Sequence, residues 1–232
     1  IGLSSDWRKV YAALFAKLFP THPYGTQTTI GLGEHLKNPS ITNIKNYFNK
    51  YYVPNNIAIC LSGDLDPDKT VASIEKYFGN WKPSAHIDVP QFPAQPALTA
   101  PVDTTVVGKE APMLFMGWRA DASKSLQLDT LEVIAQLLSN GQAGLFDLDL
   151  SQKLKVQEVS AGIADMDEYS VFYVYGQPKS GQTLQEVRSL ALSEIEKLKK
   201  GNFSDDLLPS IVNNYKRYYY TQLDNNQTRA KQ

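Results

Sequence analysis

Apolar residues recur at three- and four-residue steps in the first segment, which predicts an amphipathic helix from about Asp6 to Phe19. Pro20 and Pro23 end this helix, because proline cannot supply the backbone donor that a helix interior needs. The apolar positions on its predicted inner face are Trp7, Val10, Tyr11, Leu14 and Leu18.

Two further helices are predicted before the middle of the chain. One begins near Ser40 and ends before Pro54. The other is capped by Asp66, has Pro67 at its first position and ends at Gly79. Their predicted inner faces are formed by Ile44, Tyr47, Phe48 and Tyr51 in the first and by Val71, Ile74, Tyr77 and Phe78 in the second.

The run Ile57–Leu61 is apolar throughout and bounded by turn residues, which predicts a short buried strand. Cys60 lies inside this run, where a thiol is expected to behave as a small core residue. Because Cys60 is the single cysteine, the chain contains no internal disulfide and no cysteine-ligated zinc knuckle.

A proline-rich stretch without glycine marks the strongest predicted boundary. It divides the chain into residues 1–82, a linker at 83–103 and residues 104–232. Its prolines are Pro83, Pro90, Pro93, Pro96 and Pro101.

Beyond the linker, extended and helical patterns alternate. Strands are predicted at 104–107, 113–118, 159–163 and 169–175, and helices at 125–139, from the Thr183/Glu186 capping box to Gly201, and from 204 onward. Strand pairs followed by long helices indicate an α+β fold. We expect two-layer sandwiches in which helices cover one face of an antiparallel-rich sheet, with two partial domains joined by the linker.

Charge and apolar run lengths exclude two classes of protein. The 23 basic and 24 acidic residues are well mixed and give a formal charge of −1, unlike the basic surface of a nucleic-acid binder. Uninterrupted apolar runs are too short for a transmembrane segment. The chain begins at Ile1, and its last helix has no stop signal before Gln232, so both ends are expected to be cut from a longer protein.

Two stretches of the sequence resemble the pitrilysin/insulinase-type zinc metallopeptidases, whose zinc motif is of the inverted H-x-x-E-H type. The first consists of the segments His22–Gly25, Ile30-Gly31, Tyr51–Asn56, Ser62–Asp64 and Tyr77–Gly79. The second consists of Leu114–Arg119 and the helix to Gly141, followed by Leu145-Phe146 and Val159–Gly162. The resemblance implies that residues 1–82 are the later half of one α+β domain and residues 104–232 the early part of a following, non-catalytic domain.

The catalytic motif of these peptidases is missing from the chain. In that motif, two histidines one helical turn apart bind zinc and the intervening glutamate acts as general base. The three histidines, His22, His35 and His86, include no such pair. The segment Gly31–His35 ends in Glu-His but begins with glycine, and its glycines argue against a helix. We therefore predict no catalytic residue and no metal ligand here, whereas the substrate-binding residues stay unassigned.

A second departure concerns an arginine and a tyrosine that active relatives often carry in the non-catalytic domain. The ungapped alignment puts Leu150 and Gln157 at those positions, and neither can replace the missing group. Arg119 is the nearest arginine but matches no family position. The acidic residues Asp147, Asp149, Asp165, Asp167 and Glu168 could in principle form a catalytic carboxylate site or a calcium site. Their spacing is not that of an EF-hand, so we predict a solvated loop instead.

Two functions remain open. The first is a non-catalytic segment of a zinc metalloendopeptidase that forms part of the peptide-substrate chamber, with zinc in a catalytic domain of the same or a homologous chain. The second is a metal-free structural or assembly subunit. Peptide substrate, a catalytic partner and a homo- or heterodimer are the expected associations. The sequence fixes no compartment, and a periplasmic or cell-envelope location is our working assumption.

Overall fold

The computed structural model describes residues 5–27, 31 and 33–231, which form helices and one small antiparallel sheet. The chain divides into two compact units. Unit 1 consists of the described residues of Ile1–Gln27 and of Pro93–Asn214. Unit 2 consists of the described residues of Thr28–Phe92 and of Tyr215–Gln232. The helices are α1 (Asp6–Leu18), α2 (Pro23–Thr26), α3 (Gly33–Lys37), α4 (Ile41–Tyr51), α5 (Pro67–Phe78), α6 (Leu126–Leu138), α7 (Leu184–Lys199), α8 (Leu207–Gln222) and α9 (Asn226–Arg229). The predicted α+β class is confirmed.

The sheet of unit 1 consists of β1 (Leu114–Ala120), β2 (Glu158–Ala164) and β3 (Ser170–Gln177) in the order β1-β3-β2. Both pairings are antiparallel, and Val174 of the central strand lies opposite Met116 on one side and Ala161 on the other. Successive side chains of a strand point to opposite faces, so every second residue of β3 shares a face with Val174.

One face of this sheet packs against α6 and α7. Leu138, Val174 and Val187 are fully buried between the sheet and these helices. The cap of α6 is Ser125, whose hydroxyl accepts from the amide of Leu128. The predicted capping box of Thr183 and Glu186 begins α7, so local sequence fixes where both helices start.

The opposite face of the sheet is covered by α1, whereas the sequence predicted helices on one face. Phe15 and Leu18 of α1 are buried against Val171 of β3. Gly117 of β1 permits this close approach, because a Cβ there would lie 3.0 Å from a methyl carbon of Leu14. The periodicity of α1 identified an apolar face but carried no information about which surface would cover it.

The predicted strand at Ile57–Leu61 does not form. Inter-strand pairing in the described residues is confined to β1–β3, and a segment without a hydrogen-bonded neighbouring strand is not a strand. Cys60 is exposed, so its expected place in the core is also wrong in this structure. The predicted inner faces of α4 and α5 are likewise unburied: Phe48, Val71 and Tyr77 are exposed.

The segment 104–107, predicted as a strand, is neither strand nor helix in the structure. The proline-rich segment contains one buried polar side chain, Gln95, at 8% exposure. Its amide nitrogen Nε2 donates to Thr21 Oγ1 at 2.8 Å, and its Oε1 accepts from the Thr21 amide at 3.2 Å. These bonds attach part of the predicted linker to unit 1. The proposed homologous domains 1–82 and 104–232 stay a prediction, since compact units and homologous domains need not share boundaries.

Candidate functional site

His22 begins the first family-like segment and is almost completely buried, at 1% exposure. It caps the short helix α2: its Nδ1 accepts from the amide of Tyr24 at 3.2 Å. The proton of the ring therefore lies on Nε2, which donates to Glu168 Oε2 at 3.0 Å. Glu168 is 146 residues away in sequence, so this hydrogen bond joins α2 to the β2–β3 turn.

Tyr24 closes the same arrangement. Its hydroxyl oxygen accepts from the amide of Glu168 at 3.2 Å, and the ring of Tyr169 lies edge-on to His22 with centroids 5.6 Å apart. His22 is held between aromatic rings with both ring nitrogens in hydrogen bonds. A zinc ligand needs a free imidazole lone pair, and the lone pair of Nδ1 already accepts from a backbone amide. The geometry of His22 is that of a structural histidine.

The other two histidines do not complete a metal site. His35 lies in α3, so the prediction that the glycines of this segment prevent a helix was wrong. Glycine is tolerated at the first position of this one-turn helix, because that position donates no hydrogen bond within the helix. Leu32 lies outside the described residues. His86 is exposed and pairs with Asp88. Across 5–27, 31 and 33–231, no three His, Cys, Asp or Glu side chains are grouped to hold a metal ion. The donor set therefore does not fit the zinc of the resembling peptidases.

The two positions aligned with the arginine and tyrosine of active relatives lie in different environments. Leu150 lies in a π-helical turn (Asp147–Ser151) and is fully buried with Phe146 and Val159 in the core of unit 1. Gln157 is exposed directly before β2, and its backbone amide donates to the carbonyl of Gln177 at 3.0 Å. Leu150 packs the core and cannot contact a peptide at the surface.

Arg119 lies on the α1 face of β1 and has a structural role. Its guanidinium donates to the carbonyl oxygen of Leu18, at the end of α1, and to that of Pro96 at 2.9 Å. The guanidinium carbon also lies 5.5 Å from the ring centroid of Phe19 and 5.8 Å from that of Tyr169. Arg119 thus holds the helix terminus and the proline-rich segment against the sheet, a contact that the sequence did not reveal.

Of the five acidic residues predicted to lie in a solvated loop, Asp165, Asp167 and Glu168 are exposed between β2 and β3, whereas Asp147 and Asp149 lie in the π-helical turn. Asp147 is buried and its Oδ2 accepts from the amides of Asn140 and Gly144 at 2.9 and 3.0 Å. The Lys153 and Lys197 ammonium groups lower the pKa of Asp149 well below its usual range, because each donates to its carboxylate. These carboxylates bind backbone amides and lysines, and so close the π-helical turn onto α7.

Asp6 anchors the other end of unit 1. Its carboxylate accepts from the amide of Glu110 at 2.7 Å, from that of Lys109, and from Lys9 at 2.8 Å. The Lys9 ammonium, followed by the amide of Glu110, lowers the pKa of Asp6 from 3.8 to about 2. No sequence signal pointed to the contact with Lys109 and Glu110, since both lie more than a hundred residues from Asp6.

No helix within the described ranges is long and apolar enough to cross a bilayer. Residues 40–215 match the family described as the peptidase M16 inactive domain. Zinc protease PqqE of Helicobacter pylori is 25% identical over 224 residues, which cover 93% of this chain and 49% of that protein. The chain thus spans about half the length of this curated relative.

Two solved structures show the same fold. A protease from Helicobacter pylori aligns over 98% of this chain and 56% of its own, with a TM-score of 0.81 and 21% identity. The periplasmic protease PqqL from Escherichia coli aligns over 99% of this chain and 26% of its own, with a TM-score of 0.68 and 12% identity. At such identities the likeness establishes the arrangement of helices and strands.

Proposed function

This chain belongs to the peptidase M16 inactive domain family, and from that premise we propose that it is a non-catalytic segment of an M16-type zinc metalloendopeptidase. The family match over 40–215 carries the proposal. The zinc and the general base belong, in this proposal, to a catalytic domain of the same or a homologous polypeptide. This segment forms part of the wall of the chamber that encloses a peptide substrate.

A rigid sheet suits that role. Both faces of β1–β3 are packed, by α6 and α7 on one side and by α1 on the other. The bonds of Arg119 and the pair His22–Glu168 fix the segments that leave the sheet. A wall that keeps its shape excludes water and limits the paths open to a bound peptide, which lowers the entropic cost of positioning it.

The second candidate is a metal-free structural or assembly subunit. Leu150 favours it, because a fully buried leucine replaces the arginine that active relatives place toward substrate. The periplasmic location named for PqqL supports a periplasmic or cell-envelope location for this protein under either proposal. A homo- or heterodimer remains part of the proposal, because a segment without zinc needs a catalytic partner to take part in hydrolysis.

Peptide hydrolysis separates the two candidates. The polypeptide in its natural length and the 232-residue chain are each incubated with an unstructured fluorescence-quenched peptide, with and without a zinc chelator. Chelator-sensitive cleavage by the natural-length protein and none by the shorter chain supports the peptidase proposal. Cleavage by the 232-residue chain in the absence of any other polypeptide contradicts the peptidase proposal. Absence of cleavage by the natural-length protein, even after addition of a catalytic homologue, supports the structural subunit instead.

A further inference from the structure

Asn140 is the one asparagine of the chain that is followed by glycine. Such a pair is chemically reactive, because the backbone nitrogen of the glycine can attack the side-chain carbonyl carbon of the asparagine and form a five-membered succinimide. Glycine favours the attack, since it has no side chain to obstruct the approach of its nitrogen. The pair lies in the segment 139–144, which follows α6 and leads toward the π-helical turn of unit 1; we call this segment the α6 loop.

The backbone of Gly141 is accessible to solvent. This residue is exposed and has a φ of +81°, in the left-handed region that favours glycine. A Cβ at this position would meet no heavy atom within 4 Å. Within the described residues, the amide of Gly141 donates no hydrogen bond to a protein acceptor. Its proton can therefore pass to water, which turns the nitrogen into the nucleophile that succinimide formation needs.

The side chain of Asn140 is held in one orientation by three hydrogen bonds. Its Oδ1 accepts from the backbone amides of Gln142 at 3.1 Å and Ala143 at 2.9 Å, and its Nδ2 donates to the carbonyl oxygen of Gln136 at 3.2 Å. The bonds to residues 142 and 143 fold the side chain back over the peptide bond to Gly141. Attack on the carbonyl carbon moves negative charge onto Oδ1, so the two amides lie where an oxyanion hole places its donors.

We propose that Asn140 is a site of self-modification, at which the folded α6 loop promotes loss of the side-chain amide. A bond forms between the Gly141 nitrogen and Cγ of Asn140. The bond from Cγ to Nδ2 breaks, and ammonia leaves with the proton that the Gly141 amide releases. Water then opens the succinimide at either of its carbonyl carbons, which gives aspartate or isoaspartate at position 140. The reaction needs water and the groups of the loop itself.

Both products disturb a packed region of unit 1. Asp147 is buried, and its Oδ2 accepts from the backbone amides of Asn140 at 2.9 Å and Gly144 at 3.0 Å. A carboxylate at position 140 adds a second negative charge beside this buried one, and like charges in close contact repel. Isoaspartate also lengthens the main chain by one atom and displaces the amides that hold the loop. Leu145 and Phe146 of the core follow the α6 loop directly, so the modified chain is expected to be less stable.

The experiment measures the rate of ammonia loss at Asn140 in the natural-length polypeptide at constant pH and temperature. Mass spectrometry of the peptide that contains Asn140 quantifies the product, and electron-transfer fragmentation separates isoaspartate from aspartate. We expect the reaction to be at least about tenfold faster in the folded protein than in the same protein unfolded in urea, since oxyanion-hole donors are effective only when they are held in place. An equal or slower rate in the folded protein overturns the proposal, because the loop would then contribute nothing to the reaction.

Two glycine variants separate the attack from backbone strain. Gly141→Ala is expected to slow the reaction at Asn140 at least about tenfold, because the added methyl group obstructs the attacking nitrogen. Gly181→Ala is the matched control and should leave the rate at Asn140 unchanged. Gly181 has a φ of +78°, and a Cβ there also meets no heavy atom within 4 Å, so the two substitutions impose the same kind of strain. Equal slowing in both variants, or in neither, contradicts the proposal.

Asn140→Gln tests the consequence for stability and does not depend on the glycine variants. Glutamine keeps the side-chain amide, but its attack requires a six-membered ring, which forms more slowly. After prolonged incubation, the urea midpoint of the parent protein should fall in proportion to the fraction modified, whereas that of Asn140→Gln should stay constant. An unchanged midpoint in parent protein that has lost the amide would refute the predicted loss of stability.

Discussion

Replacing Leu150 with alanine tests whether this position packs the core or serves a substrate chamber. Leu150 is fully buried among apolar side chains that include Phe146, Val156 and Val159. Truncation removes buried methyl and methylene groups and leaves a cavity that rigid neighbours fill only in part. For a fully buried leucine we expect a loss of roughly 3–4 kcal/mol in the free energy of unfolding.

Leu148→Ala is the matched control. Leu148 lies in the same π-helical turn but is 44% exposed, so less apolar area is lost and no closed cavity forms. We expect this variant to lose about 1 kcal/mol. Together the two substitutions compare the same chemical change at two depths of burial, two residues apart in one turn.

Urea titration of each variant, followed by tryptophan fluorescence and by circular dichroism, gives the two values. The loss for Leu150→Ala should appear as a lower midpoint with an unchanged slope, because the surface exposed on unfolding hardly changes. Equal losses for Leu150→Ala and Leu148→Ala would refute the core assignment. The side chain of Leu150 would then face a surface, where it could contact substrate.

Two further predictions concern contacts that join distant segments. Asp6→Asn should lower the urea midpoint near neutral pH. Because the pKa of the Asp6 carboxyl is lowered in the folded state, the stability that it contributes is present above about pH 4 and lost as the pH falls toward 2. The urea midpoints of variant and parent should therefore converge at low pH. A difference in midpoint that does not change with pH would contradict this. Gln95→Ala should speed proteolytic cleavage at 93–96 and hydrogen exchange of the Thr21 amide, because both side-chain bonds to Thr21 are lost; unchanged rates would show that Gln95 does not hold the segment.

Helix positions were predictable because their start signals are local. Ser40, Asp66 and Thr183 each lie within three residues of the backbone amide that they cap, so the signal can be read from a short window. The strands β1, β2 and β3 were also predicted close to their observed positions, since the β-branched and aromatic residues that favour a strand lie within each strand itself.

Contacts between distant segments were not predictable. The apolar run Ile57–Leu61 has the composition of a strand, but a strand also needs a neighbour, and sequence composition does not supply one. The packing of α1 on the sheet was missed for a similar reason. The pair His22–Glu168 spans 146 positions, so a single sequence offers no signal for it.

The absence of catalytic residues and metal ligands from this segment stays a prediction from the sequence. Histidine spacing alone excluded the helical zinc motif, because two ligands on one helix face must be one turn apart. The buried environment of His22 and the roles of Arg119 and Asp147 required coordinates. The hydrogen bonds described for these three side chains are made to groups within unit 1.

On the proposed function, the zinc of this peptidase family is bound outside these 232 residues. The most direct measurement is elemental analysis of the natural-length polypeptide and of the 232-residue chain, both purified without chelator and separated from free metal by gel filtration. We predict one zinc ion per natural-length polypeptide, or per complex with its catalytic partner, and no stoichiometric zinc in the shorter chain. Stoichiometric zinc in the shorter chain, lost on substitution of His22 or His35, would contradict the account.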